Sequence, residues 1–130
     1  MAVDDLRRDK MMTHLLDALA EGKDIGHYGR LTFTMVARYF VDDDELVRLL
    51  TQDKDTDEPK ARALVKQVED RGYSPPKRER VLEWQAKQDF PIIPNPDDPD
   101  EGNVYRDLEF PDSLFKHIEE YRTEQQQATV

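Results

Sequence analysis

Residues 26–30 read GHYGR, and three side chains with chemistry of their own, His27, Tyr28 and Arg30, fall within and around two glycines. Gly26 and Gly29 let the backbone turn tightly. An apolar stripe follows, so a helix that starts here would offer unpaired N–H groups and a positive dipole end to an anion. Arg30 would fork onto phosphate oxygens and His27 would add a second donor. The same letters also fit a plainer reading, in which Gly26 ends a loop and His27 and Arg30 point into solvent. A motif this short does not choose between them.

A second constellation is RGYSPPKRER at residues 71–80. Lys77, Arg78 and Arg80 follow a rigid Pro-Pro corner, and Tyr73 is available to stack on a base, as cations and aromatics do where single-stranded ends are held. Lys60 and Arg62 extend the same basic stretch. The alternative is a charged first helical turn with Tyr73 packed in the core. A third, NPDDPDEGN at residues 95–103, is rich in acids but lacks the order of ligands that a calcium loop requires, so a solvated acidic loop is expected. His14, His27 and His117 lie far apart, and no metal site is expected. There is no Ser/His/Asp arrangement, phosphate-cradling glycine loop or HExxH, so nothing points to an enzyme.

The chain that must position these residues has 130 residues, enough for one domain with a real core. No run of eighteen apolar residues is present, so no membrane span is expected. The charged N-terminus does not read as a signal peptide. With no cysteine there can be no disulfide or thiolate-held metal, and a reducing cytoplasm is the natural compartment. The net charge of -10 argues against a generic duplex-DNA binder. Residues 60–90 nevertheless hold eight Lys/Arg against five acids, so a basic segment sits in an acidic body. Such a body suits a protein from a salt-loving organism, where self-repulsion is screened.

Hydrophobic spacing predicts an all-α fold of about five to six helices with one ordered, proline-rich loop. Met11, Met12, Leu15, Leu16 and Leu19 form a helical stripe that Gly22 should stop. A second helix is predicted from about Tyr28 to Phe40, with Leu31, Met35, Val36, Tyr39 and Phe40 inward. A third follows an Asp42 cap with Glu45 as its capping-box acid. A fourth has Pro59 in its first turn, Leu64, Val65 and Val68 inward, and an end at Gly72. A fifth carries Val81, Leu82 and Trp84. Pro91, Pro94, Pro96 and Pro99 then forbid regular structure, with Phe90, Ile92 and Ile93 as anchors. A last helix is predicted from an Asp112 cap, using Leu114, Phe115, Ile118 and Tyr121. Residues 1–9 read as a lead-in, 10–121 as the domain, and 122–130 as a flexible tail.

The order of these pieces resembles the C-terminal domain of the large subunit of archaeal and eukaryotic DNA primase. The collinear stretches are LLDALAEGKDIGHYGR, LTFTMVARYFVDDDELVRLL, KARALVKQVEDRGYSPPKR, FPIIPNPDDPDEGN and FPDSLF, within residues 10–121. The departure is that the family's four cluster cysteines align with Met11, Arg78, Ile93 and a position within Gly102–Tyr105, none of them cysteine. The resemblance thus implies a stand-alone relative without the family's 4Fe-4S cluster and with no other cofactor, Met11 and Ile93 filling its volume.

The resemblance further implies a non-catalytic accessory domain that binds the initiating nucleotide, or the primer 5′-triphosphate end and the template–primer DNA/RNA junction, beside a primase catalytic subunit. His27 and Arg30, with Tyr28, would hold the phosphates. Two residues that touch template in relatives correspond to Ala63 and Gln67, which leaves template contact to Lys60, Arg62, Tyr73, Lys77, Arg78 and Arg80. The alternative is a degenerate primase-like adaptor that binds a protein partner and no nucleic acid.

Overall fold

The computed structural model describes residues 2–111 and Leu114, and among them every regular element is a helix. They are α1 (Ala2–Leu6), α2 (Lys10–Ala20), α3 (Gly26–Ala37), α4 (Asp43–Leu50), α5 (Glu58–Arg71), α6 (Arg78–Gln85) and α7 (Val104–Asp107). The all-α expectation holds. The additional short helices are α1, which lies in the expected lead-in, and α7, which follows the proline-rich loop.

Local signals account for most of the ends. The Asp9 side chain caps α2 by accepting from Met12 N at 2.9 Å. Gly22, at φ 72°, ends the same helix, with Gly22 N donating to Leu19 O and Lys23 N to Ala18 O. Asp42 caps α4 through Glu45 N at 2.8 Å, while the Glu45 carboxylate turns to Arg48 instead of closing a capping box. Asp57 caps α5 and Gly72, at φ 62°, closes it. α3, α6 and α7 begin without a side-chain cap, and at α3 the cap position is held by Ile25, which has no side-chain acceptor to offer.

The core runs through all of these helices. Leu6, Met11, Met12, Leu15, Leu19, Ile25, Phe33, Leu46, Leu50, Ile92 and Ile93 are fully buried, each contributing on the order of 1.5–3 kcal/mol of transfer free energy. Leu6 and Asp9 are fully buried, so residues 6–9 of the expected lead-in belong to the packed body. In α3 the expected Met35 and Val36 are buried, Phe33 is fully buried beside them, and the expected Leu31 is half-exposed, as are Tyr39 and Phe40 beyond the helix end. Leu64 is likewise half-exposed, with Ala61, Val65 and Val68 making the contact.

The proline-rich connection from α6 to α7 is held by side chains from outside it. Ile93 N donates to Gln85 Oε1 at 2.8 Å, and His14 Nε2 donates to Pro91 O at 2.9 Å while its ring stacks on Phe90. Arg78 donates to the carbonyls of Pro96, Asp98 and Glu101. The buried Glu101 carboxylate takes Asn95 N. The predicted helix from Asp112 and the tail at 122–130 lie outside the described residues, apart from Leu114, which is buried in the core.

Candidate functional site

The GHYGR segment does open α3, so His27, Tyr28 and Arg30 stand at a helix mouth. Three N–H groups there are already engaged. Ile25 N donates to Asp53 Oδ2 at 2.9 Å, Gly26 N to Asp24 Oδ1 at 2.8 Å, and Tyr28 N to Gln88 Oε1 at 2.9 Å. Gln88 completes a clamp by donating Nε2 to Ile25 O and Phe90 O, both at 2.9 Å. It ties the mouth of α3 to the segment after α6.

Arg30 points into the same corner. Its Nη1 lies 3.1 Å from both Asp24 Oδ1 and Asp53 Oδ2, and its Nη2 lies 3.9 Å from Asp55. The guanidinium side chain is only 14% exposed and that of Asp53 is fully buried. Asp53 also accepts from Asp55 N at 2.7 Å, so this carboxylate is held by two backbone donors and one cation. One arginine among three carboxylates leaves the corner negative, a poor place for a triphosphate. Helix dipole and arginine alike serve an internal anion, Asp53.

The rings make a different arrangement. Tyr28 stacks on Trp84 with centroids 5.7 Å apart and planes 18° from parallel, and exposed His27 meets Tyr28 edge-on at 5.3 Å. Tyr28 and Trp84 are both half-buried, so α3 and α6 together present a partly exposed three-ring ledge. Lys77 and Arg80 lie seven and four residues before Trp84, on the same side of α6.

The remaining basic residues are dispersed. Arg62, on the first turns of α5, is held by Glu58 and Asp44 at 3.1 and 3.3 Å, and Lys60 is exposed beside it. Tyr73 is half-buried and its carbonyl accepts from Arg38. Arg80 approaches Glu83 at 3.7 Å, Lys77 is exposed at the α6 cap position, and the Arg78 guanidinium is occupied by the three loop carbonyls. Lys77, Arg78 and Arg80 therefore share one helix start, while Lys60 and Arg62 belong to another element.

Of the positions set against cluster cysteines above, Arg78 and Ile93 lie beside Gly102. A Cβ on Gly102, whose φ is 91°, would stand 2.6 Å from Ile93 Cδ1 and 3.5 Å from Arg78 Cγ. Ile93 fills the space in front of this glycine and the Arg78 stem passes beside it; Met11 is fully buried. A cationic, an aliphatic and a glycine position offer no thiolate, so these residues do not fit a thiolate-held cluster. Among the described residues no group of three or more His, Cys, Asp or Glu could hold a metal ion, including those of the 95–103 loop.

Two surface features complete the survey. A cavity of about 320 Å³ is lined by Asp5, Arg8, Tyr39, Phe40 and residues 109–111. On the α4–α5 side, Glu69 and Asp43 are close enough to share a hydrogen bond, and partial burial first, then Asp43, push the Glu69 carboxyl above its ordinary range. The Arg38 guanidinium opposes that shift in part.

Asp24, Asp53 and Gln88 carry no signal in the sequence that would pair them with the GHYGR segment, since Asp53 and Gln88 act from 23 and 60 or more residues away. Comparison with known proteins finds no matching family model, no similar curated protein and no similar solved structure. No described helix is long and apolar enough to cross a membrane.

Proposed function

We propose that this chain is a non-catalytic accessory module of primase-like build that works by docking to a protein, the catalytic subunit of a primase being the partner that its layout suggests. The observation that carries the reading is the closed mouth of α3. Three N–H groups at that mouth and the arginine that would grip a triphosphate are committed to Asp24, Asp53 and Gln88. The closeness of Arg78, Ile93 and Gly102 is consistent with the primase-like build, because Arg78, Ile93 and a position within Gly102–Tyr105 align with cluster ligands in the resembled family. The crowded carboxylates of Asp43 and Glu69 favour a partner with a basic face, which would relieve their repulsion.

A second reading keeps nucleic acid as the ligand, and the ring ledge favours it. His27, Tyr28 and Trp84, with Lys77 and Arg80 along the same side of α6, would stack unpaired bases of a template–primer junction. In that reading His27 touches a base or phosphate, and Arg30 only braces the corner behind it.

The deciding experiment offers the purified chain a primase catalytic subunit and, separately, a template–primer junction carrying a 5′-triphosphate or a 5′-hydroxyl, at several salt concentrations. The protein-docking reading expects a complex with the subunit that weakens in Asp43→Asn/Glu69→Gln, and junction binding indifferent to the 5′ group. A triphosphate preference that disappears in His27→Ala, whose side chain is exposed, would overturn it. Binding of both junctions, lost in Trp84→Ala with the fold intact, would move the assignment to the ledge.

A further inference from the structure

The cavity of about 320 Å³ is assembled from three separate places in the chain: Asp5 and Arg8 at α1 and its exit, Tyr39 and Phe40 just beyond α3, and Glu109, Phe110 and Pro111. Its floor is Phe110, which is buried. The rings of Tyr39 and Phe40 stand 5.8 and 5.3 Å from it, turned 90° and 58° out of its plane, so they wall a hollow instead of stacking flat. Tyr39 is fixed in that position from behind. Arg38 Nη2 donates to its hydroxyl at 2.7 Å, and the guanidinium lies 4.5 Å over its ring. Phe40, half-buried, keeps part of its surface open.

The rim carries charge, two carboxylates against one guanidinium. Arg8 lies 3.8 Å from Asp5 and 3.9 Å from Glu109, at the outer edge of ion pairing. Its side chain is 57% exposed and that of Glu109 is 90% exposed, so the contact is weak and Arg8 is free to swing aside. Carboxylates at this mouth turn away a phosphate and draw in a cation. The apolar floor below them suits an aliphatic stem, and the two together match the long, amphipathic side chain of a basic residue. The volume stands at the small end of ligand sites, which run from roughly 300 to 1,000 Å³ and so leave room here for one such side chain.

We propose that this hollow receives a lysine or arginine side chain of a protein partner, its stem on Phe40 and Phe110 and its charge between Asp5 and Glu109. Arg8 holds the place of that cation in the free chain and is the internal competitor that the incoming side chain displaces. The inference rests on the docking reading only in taking the ligand from a protein. It assigns a contact that Asp43 and Glu69 do not make, and its test uses no catalytic subunit. Failure here therefore leaves that earlier assignment standing, and failure of that assignment leaves this one.

The test is an NMR titration of the full chain at constant ionic strength, following the ring signals of Phe40 and Phe110 and the carboxyl of Glu109. The probes are a blocked tripeptide with a central lysine and the same peptide with norleucine, which keeps the stem and removes the charge. The lysine peptide should shift these signals saturably, and the norleucine peptide should bind more weakly. Glu109→Gln should weaken lysine binding about two- to fivefold, the value of one exposed ion pair. Arg8→Gln should tighten it by a similar factor, because the competitor is gone. Both side chains are exposed, so neither change threatens the fold. Equal binding of the two peptides, no shift with either, or lysine binding that Arg8→Gln leaves unchanged or weakens would overturn the proposal.

Discussion

Replacing Arg30 with Met separates an internal role for this arginine from a surface role. The side chain of Asp53 is fully buried and has three donors, Ile25 N, Asp55 N and Arg30 Nη1. Removing one partner of a buried ion pair costs about 3–5 kcal/mol, because the other charge is left desolvated. Asp53 keeps its two backbone donors, and Asp24 and Asp55 are exposed enough to recover hydration, at 38% and 68%. The loss should therefore sit at the low end, about 2–3 kcal/mol, a large share of a total of about 5–15 kcal/mol for a domain of this kind. Urea unfolding read by fluorescence reports it, since Trp84 is the sole tryptophan and lies half-buried on Tyr28 at the same corner. Arg30→Met/Asp53→Asn should recover little or none of the loss, since Ile25 N and Asp55 N donate to different oxygens of Asp53 and an amide NH2 would face one of them. A solvated arginine would cost no more than about 0.5 kcal/mol. A loss below about 1 kcal/mol in the single variant would refute the reasoning.

Three further outcomes follow from the same geometry. Gly26→Ala should cost about 1–3 kcal/mol, because its φ is 78° and a Cβ would stand 2.5–2.6 Å from the Gln88 amide, which three hydrogen bonds hold in place; the cost in a Gln88→Ala background should be smaller, measured by the same unfolding assay. Phe33→Ala should cost about 3–5 kcal/mol, and Trp84→Ala distinctly less, since Phe33 is fully buried and Trp84 is not; equal losses in paired melts would contradict that ranking. Asp9, raised from 3.8 to about 7 when folded, holds its proton more tightly in the folded chain. Its stabilising contribution is thus full below about pH 4 and is lost as pH rises to about 7, at most about 4 kcal/mol in all. Denaturation midpoints across pH 4–8 should flatten in Asp9→Asn, and an unchanged slope would contradict the assignment.

What could be read without a structure was whatever depends on neighbours within a turn or two. The stripe from Met11 to Leu19, the Asp42 cap, the proline in the first turn of α5 and the stops at Gly22 and Gly72 are rules of short range, and they yielded the all-α architecture. Even there the facing of α3 was legible only in part, because Leu31 and Phe33 are both apolar and only packing selects the one that turns inward. The same local rules identified GHYGR as a helix mouth with a histidine, a tyrosine and an arginine.

What Arg30 does at that mouth is a different kind of question. An arginine beside a helix N-terminus answers to whichever anion is nearest, and distance along the chain does not reveal that this anion is Asp53. Gln88 reaches the mouth across 60 residues, and Trp84 meets Tyr28 only because α6 packs on α3. Asp9 reads as an ordinary helix cap, and only the fold excludes water from its carboxyl and leaves one oxygen without a donor. The sequence by itself determined which residues could carry charge, rings and helix ends. The tertiary structure alone decided which of those charges face each other, because Coulomb energy and desolvation depend on distance in space and on the absence of water.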